Sequence, residues 1–398
     1  MEDEALTTGS QYKWLILLLT WLVYFSFGLI LTSIPPLVTP ISAELSLSYS
    51  EMGVIIGSVI LMYIPLSIPI GIIIDHIGQK KMIAAGALLT SMSAVLRAFA
   101  FSFETLFLTV FLFGFGGPTI SVGLAKVIAS FFEGRERGIA SGIYMTGSIV
   151  GSGVSLAITN SVILPLVGTW RNVFVAYGII GFLTMVVWIL LVTVPERTNE
   201  ASGIIQPLRE TTRKLLGHRQ VWIVCIVGSS SFLVFYGFTN WLPTLLELKG
   251  LSSADAGLLS SLPSWVGLLG SSAIPGLAVV GSRKPVVVIV LLLEGISMAV
   301  AGLASGPVLT LALIAYGVTS GASMPLLLVV LMDLQDVGAD YTGVASGIFF
   351  SIGAFCGFLG PAVVGYLTDL TGSFFPAIFT LTLAVEAMIP LTLTLKEL

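Results

Sequence analysis

The stretch Gly71–Lys81, "GIIIDHIGQKK", ends a long apolar run on an acid, a histidine and two lysines before apolar residues resume at Met82. Such polar gaps between greasy segments recur along the chain. Of 398 residues, 56% are hydrophobic and 10% charged, whereas a soluble domain carries about 25% charged residues. Mean hydropathy is +1.04. A helix crosses a bilayer with roughly 20 apolar residues, and runs of that length recur here without the polar face of a soluble core helix. Barrel strands would alternate over about ten residues, which these solid runs do not. The composition specifies an all-α, polytopic membrane protein embedded in a lipid bilayer.

Twelve spans are expected, near 14–38, 51–74, 82–101, 105–132, 138–163 and 172–194, then 221–246, 254–280, 285–304, 307–332, 343–367 and 375–395. The acidic start and the length of the first run mark residues 1–13 as a tail before a retained span, not a cleaved leader. The polar, basic stretch 195–220, broken by Gly203 and Pro207, divides the chain. It is read as a linker between six-helix bundles at 14–194 and 221–395, and 396–398 form a short tail. Within it, 207–219 is either a surface helix or plain linker.

With both termini on one side, that side collects thirteen lysines and arginines, including Lys80, Lys81, Arg135, Arg137, Arg283 and Lys284. The opposite loops hold only Arg171 and Lys249. This bias places both termini in the cytoplasm, in a plasma or inner membrane. Two echoes support duplication: "GIASGI" (138–143) returns as "GVASGI" (343–348), and "LSYSEMG" (47–53) as "LSSADAG" (251–257). Their offsets, 205 and 204, are nearly equal. Two parallel six-span repeats with a site between them form a transporter architecture.

Other classes lose support. A net charge of −4 with no basic tract argues against nucleic acid. Cys225 and Cys356 lie inside apolar runs, with neither metal spacing nor a disulfide framework. No GxxxxGK[ST] loop or HExxH helix is present, so neither cofactor nor metal is expected. No nucleophile stands beside a base, which leaves an intramembrane enzyme a remote alternative. A channel would leave the repeat and Asp75 unexplained.

In this frame Gly71–Lys81 is the turn between spans two and three. Lysines hold it in the cytoplasm, and Gly78 suits the positive φ of a tight turn. Asp75 sits at a helix C-terminus, where the dipole disfavours an anion unless something compensates. The stretch resembles the G-x-x-x-D-[RH]-x-G-[RQ]-[RK]-[RK] signature of the major facilitator superfamily, through Gly71, Asp75, His76, Gly78, Gln79, Lys80 and Lys81. "FFEGRERGIASGI" is similar to that superfamily's entry into helix five. The resemblance implies two rocking bundles, alternating access and a cytoplasmic gate of Gly71, Asp75, Gly78, Lys80, Lys81 and Arg137. There Asp75 would meet the start of helix eleven, near Tyr341–Gly343, and Asp340 would cap that helix. The second copy of the turn, 276–285, has Val280 where the acid would fall, and span four lacks an early arginine. Gly151 is followed by Ser152 and not proline, so proton-driven drug export loses support.

The resemblance also implies that helices one, four, seven and ten line the cavity, which selects Tyr24, Lys126, Tyr236, Asn240 and Tyr316. Lys126 shares a helix face with Thr119, Gly123 and Ser130. It is either a fixed charge for an anionic solute or a lysine that snorkels or pairs with an acid. Span five carries a stripe of Ser141, Tyr144, Ser148, Ser152, Ser155 and Thr159; small-residue packing explains most of it, and Tyr144 is taken as a cavity hydrogen-bonder. A break is expected before Pro243. Arg97 is read as snorkelling outward, Glu294 and Glu386 as structural or lipid-interface groups with a proton-carrying role as the alternative, and Asp333 and Asp336 as a solvated turn or a state-dependent bridge to Arg135 or Arg137. The expected function is secondary active transport of a small solute, with an anion preferred and a coupling proton or cation, by a monomer. The entry to span five and the central lysine faintly resemble the cyanate and monocarboxylate-type branches. A facilitative or efflux carrier of a neutral compound is the alternative, and a non-transporting membrane sensor a remote one.

Overall fold

The computed structural model describes residues 2–194, 215, 217–278, 283–334 and 337–395. Most of the expected linker, the tail 396–398, Val280 and Asp336 lie outside them, as do the side chains of 338–343, Asp340 and Tyr341 among them. All regular structure among the described residues is helical. In chain order the long helices are α1 (Glu2–Leu31), α2 (Tyr49–Leu61 continued by Tyr63–Ile77), α3 (Gln79–Arg97), α4 (Phe103–Phe131), α5 (Gly134–Ile158) and α6 (Trp170–Leu191). The second half follows with α7 (Arg219–Leu248), α8 (Ser253–Leu277), α9 (Arg283–Leu303), α10 (Gly306–Asp333), α11 (Gly338–Thr371) and α12 (Phe374–Glu386 continued by Met388–Leu393).

Eleven helical stretches among the described residues are long and apolar enough to cross a membrane. The twelfth, α3, is 19 residues long and carries Lys80, Lys81 and Arg97, yet it packs between α4 and α6. The interruptions in α2 and α12 fall at Met62 and Ala387, each three residues before a proline, Pro65 and Pro390. Proline removes the N–H that would close the preceding turn. The break expected before Pro243 is absent, and α7 runs through it to Leu248.

Even-numbered helices start on the face opposite the termini, and five of the six start on a side-chain cap: Ser48, Ser102, Thr169, Ser252 and Ser373. Each hydroxyl accepts a backbone N–H that the first turn leaves free. The echo of "LSYSEMG" in "LSSADAG" is thereby explained: Ser48 accepts from Glu51 N–H and Ser252 from Asp255 N–H, at equivalent places in the two halves. The two cations on this face also cap helices. Arg171 donates to the carbonyls of Ala98 and Ala100 at the end of α3. Lys249 donates to those of Ala301 and Ala304 at the end of α9, and burial holds its ammonium below the ordinary lysine range.

Helix pairing repeats between halves: α1 packs on α5 as α7 packs on α11, and α3 packs on α6 as α9 packs on α12. Glycine permits the closest approaches. A Cβ on Gly28 would lie 2.1 Å from the Ser148 carbonyl oxygen, and one on Gly151 2.1 Å from that of Phe25. Hydrocarbon offers helices little hydrophobic drive to associate, so such close backbone contact carries much of the association. Gly151→Val should therefore cost on the order of 3 kcal/mol through overpacking. A lowered thermal midpoint in detergent is expected, with poor membrane expression.

The halves meet through α2 on α11 and α5 on α8, and only toward one face. A Cβ on Gly53 would lie 2.3 Å from the Pro361 carbonyl oxygen, and on Gly257 2.6 Å from that of Leu156. Asn160 Nδ2 donates to the carbonyls of Pro36 and Ser253, joining the halves on that side. Toward the termini, Gly71 of α2, Gly347 of α11, Gly142 of α5 and Gly276 of α8 have nothing within 4 Å of a built Cβ. The molecule is closed on the face opposite the termini and open on the face that bears them.

Candidate functional site

Midway along the seam, three tyrosines from both halves converge. The Tyr63 hydroxyl lies 3.3 Å from Ser121 Oγ. The Tyr24 hydroxyl lies close enough to Ser121 and Ser148 to interact with both, and its ring lies 5.7 Å from that of Tyr144. Tyr236, from α7, is close enough to interact electrostatically with both Tyr24 and Tyr63. Tyr24, Tyr63, Ser121, Ser148 and Tyr236 are all half-buried. Gly117 gives Tyr63 its room, since a Cβ there would sit 2.5 Å from the phenol oxygen. The result is a hydroxyl-lined centre able to donate and accept hydrogen bonds.

The residues expected at the site divide. Tyr24, Tyr144 and Tyr236 are at this centre. Asn240 is half-buried but turns its amide onto the Tyr236 carbonyl, 2.7 Å away. Tyr316 is 0% exposed, its ring 4.7 Å from that of Phe238, so in this conformation it lies inside the second half and not on an opening. Ser121 was not singled out by sequence. It lies about 140° around the helix from Lys126 at 100° per residue, off the face that the lysine defined. That face packs within the bundle: Gly123 abuts Ile83, and Ser130 receives Gln79.

Lys126 projects onto the end of α2. Its Nζ donates to the Gly71 carbonyl at 2.7 Å and to Asp75 at 2.5 Å. With side chains 29% and 61% exposed, the pair is worth about 1 kcal/mol or less. It is cheap to break. Asp75 does not meet Arg137, which donates to the carbonyls of Phe132 and Ala129 and so caps the end of α4. The physical reason is the open face: with Gly71 and Gly347 both facing empty space, α11 has not approached α2 there. Gly78 has φ of 98°, the positive value that its turn requires. Lys80 offers its carbonyl to Trp188 Nε1, and Lys81 is exposed.

The closed face carries the contact that the open one lacks. Asp369, near the end of α11, accepts from the backbone N–H groups of Tyr49 and Ser50 at 3.1 and 2.6 Å and from the Ser50 hydroxyl. A carboxylate from one half thus caps the first turn of α2 in the other. The signal was in the sequence: Gly365, Asp369 and Gly372 repeat the G-x-x-x-D-x-x-G spacing of Gly71, Asp75 and Gly78. Gly365 sits against the Tyr49 carbonyl, where a Cβ would be 2.1 Å away.

Three further expectations are narrowed or corrected. Asp333 is not merely solvated but pairs with Arg283, mirroring Lys126–Asp75 with the charges exchanged between turn and helix. Arg97 does not snorkel. It is 0% exposed, held by the Ile30 carbonyl, Ser33 and Ser93 between the rings of Phe113 and Phe174. Glu294 is likewise 0% exposed, away from any lipid interface.

The sequence profile described as Major Facilitator Superfamily matches residues 16–361. The chain belongs to that superfamily. It is therefore a multi-pass membrane transporter, not an enzyme. Superfamily relatives include an uncharacterized transporter, YycB, of Bacillus subtilis, 26% identical over 95% of this chain and 92% of its own length. Others are a hexuronate transporter and a probable galactarate/D-glucarate transporter of the same organism, 24% and 27% identical over 84% and 83% of this chain and 83% and 80% of theirs. Among solved structures, a bacterial homologue of the human lysosomal transporter Spinster, inward-facing and unoccupied, superposes with a TM-score of 0.75 at 18% identity, covering 96% of this chain and 95% of its own. The superfamily's fold of two six-helix bundles accounts for the repeated helix pairing and for a seam closed at one end only.

Proposed function

We propose that this transporter carries a small polyhydroxylated organic anion of the hexuronate or aldarate class across a plasma or inner membrane, with both termini in the cytoplasm. The observation that carries the reading is the hydroxyl-lined centre, Tyr24, Tyr63, Ser121, Ser148 and Tyr236, at a seam open toward one face only. Hydroxyl donors and acceptors match a solute that is itself mostly hydroxyl. With the termini cytoplasmic, this conformation is inward-open. The relatives' hexuronate and galactarate names support the anionic class.

Lys126 supplies the charge. Five residues beyond Ser121, it lies about 7.5 Å further along α4 toward the opening. In the open state Asp75 neutralises it. As the face closes, Asp75 transfers to the positive end of α11 and frees Lys126 for the solute. Asp75 would then alternate between the Lys126 ammonium and the positive end of a helix, and the low worth of its present pair suits that exchange.

The test is labelled galactarate, D-glucarate and a hexuronate in proteoliposomes. Lys126→Ala should abolish uptake with expression intact, while Lys126→Arg keeps a measurable rate. Asp75→Asn should lower turnover several-fold with apparent affinity unchanged or tighter, because it frees Lys126 but removes the gate. Wild-type uptake by Lys126→Ala would end the anion reading. The present neutralisation of Lys126 favours one second reading, a neutral polyol carrier. It predicts equal thermal shifts from a hexuronate and the matching hexose.

A further inference from the structure

Glu294 has no task in the cycle just described. It is the twelfth of 21 residues in α9, about 15 Å of helix from either end. It is 0% exposed, and neither carboxylate oxygen has a hydrogen-bond partner among the described residues. The groups around it come from each packed helix. From α10, the Tyr316 hydroxyl is close enough to interact with it electrostatically, and Ser323 faces it but donates to the Ser320 carbonyl. From α12, Glu386 lies against Gly295, the next residue of α9, while the continuation Met388–Leu393 carries no titratable group. The cations near α9 are engaged at its ends: Lys249 on carbonyls at one, Arg283 with Asp333 and Lys284 on the Leu395 carbonyl at the other.

An ionised carboxylate in that position would be a bare charge at mid-membrane depth, the costliest place for one. The protonated acid is the form the site can hold. Intramembrane carboxyls of this kind mark proton pathways, and α1, α4, α7 and α10 carry no acid away from their ends. One link of a route to the centre is in place, and its last step, from Tyr316 to Glu294, needs the Tyr316 hydroxyl to swing onto the carboxylate. Tyr316 Oη lies 3.4 Å from Thr239 Oγ1, and Thr239 follows Tyr236 by three residues, near the helix face that meets Tyr24 and Tyr63.

We propose that Glu294 is a proton-binding site, loaded from the central site through the hydroxyls of Thr239 and Tyr316, and that its proton is the coupling ion of transport. The proposal rests on the transporter reading for its second half only. In loading, a proton from water at the centre passes along the hydroxyls and forms an O–H bond on the Glu294 carboxylate; release reverses it, with no other bond made or broken.

Infrared spectroscopy of the purified full chain in lipid tests the site without any solute. Wild type at neutral pH should show a protonated-carboxyl stretch that Glu294→Gln loses and Glu386→Gln keeps. A band unchanged in Glu294→Gln, or lost in Glu386→Gln, overturns the site. The second arm uses galactarate in proteoliposomes. Glu294→Gln should keep solute exchange near the wild-type rate and lose accumulation driven by a pH gradient, and Tyr316→Phe should slow that accumulation while keeping the band. Gradient-driven accumulation retained by Glu294→Gln overturns the coupling role. If wild type moves no galactarate while the band behaves as expected, the solute assignment falls and the proton site stands.

Discussion

Replacing Asp369 with alanine should unlatch the face opposite the termini. Three hydrogen bonds to one carboxylate would be worth several kcal/mol if buried, but Asp369 is exposed, and solvent reduces the net to on the order of 1–2 kcal/mol. That shifts a two-state equilibrium roughly tenfold. The readout is maleimide labelling of a cysteine at Ala362, which packs against Gly53, in a background lacking Cys225 and Cys356. Labelling should be about tenfold faster in the Asp369→Ala protein, from the shift just given. Asp369→Asn, which keeps one acceptor, should fall between. Equal labelling in all three would show that the carboxylate does not hold the seam shut.

The second large effect concerns the open face. A Cβ at Gly71 or Gly347 meets nothing within 4 Å in this conformation, and leucine in a helix gains roughly 0.8–1 kcal/mol over glycine. Each variant should therefore fold at least as stably as wild type. Closure must bring α2 and α11 together here as closely as they meet at Gly53 and Gly57, where carbonyl oxygens leave no space for a side chain. Uptake should fall to background while the thermal midpoint stays or rises. This is the reverse of Gly151→Val, which strikes a contact already made. Normal uptake by both leucine variants would mean that the two bundles do not close through these glycines.

Much of the fold was legible because lipid imposes its own grammar: apolar runs give the spans, and gaps give the turns. The span positions agree with the helices to within a few residues at most ends. The misplaced break at Pro243 shows where the reading failed. A proline interrupts a helix only if its neighbours do not compensate, and sequence does not list neighbours. The site was half legible. Tyr24 and Tyr236 could be picked because the superfamily resemblance implies which helices line the cavity, and Tyr144 from the polar stripe of span five, but Lys126 was placed on its helix face without knowing that Asp75 stood opposite. Arg97 was misread, and Glu294 and Asp333 were left between alternatives, for one shared reason. Whether a charge is buried, paired or wet depends on helices distant in sequence, and hydropathy is blind to them.

The two G-x-x-x-D-x-x-G stretches bear on ancestry. If the chain arose by copying one half, the copy of Gly71–Gly78 should begin near 276, and it lacks the acid at Val280. The stretch that does match, Gly365–Gly372, lies in a helix that descends from the counterpart of α5, not of α2. Copying of one half therefore does not by itself account for the likeness; the same three residues stand at the two ends of one sliding seam, where each end sets the same mechanical problem.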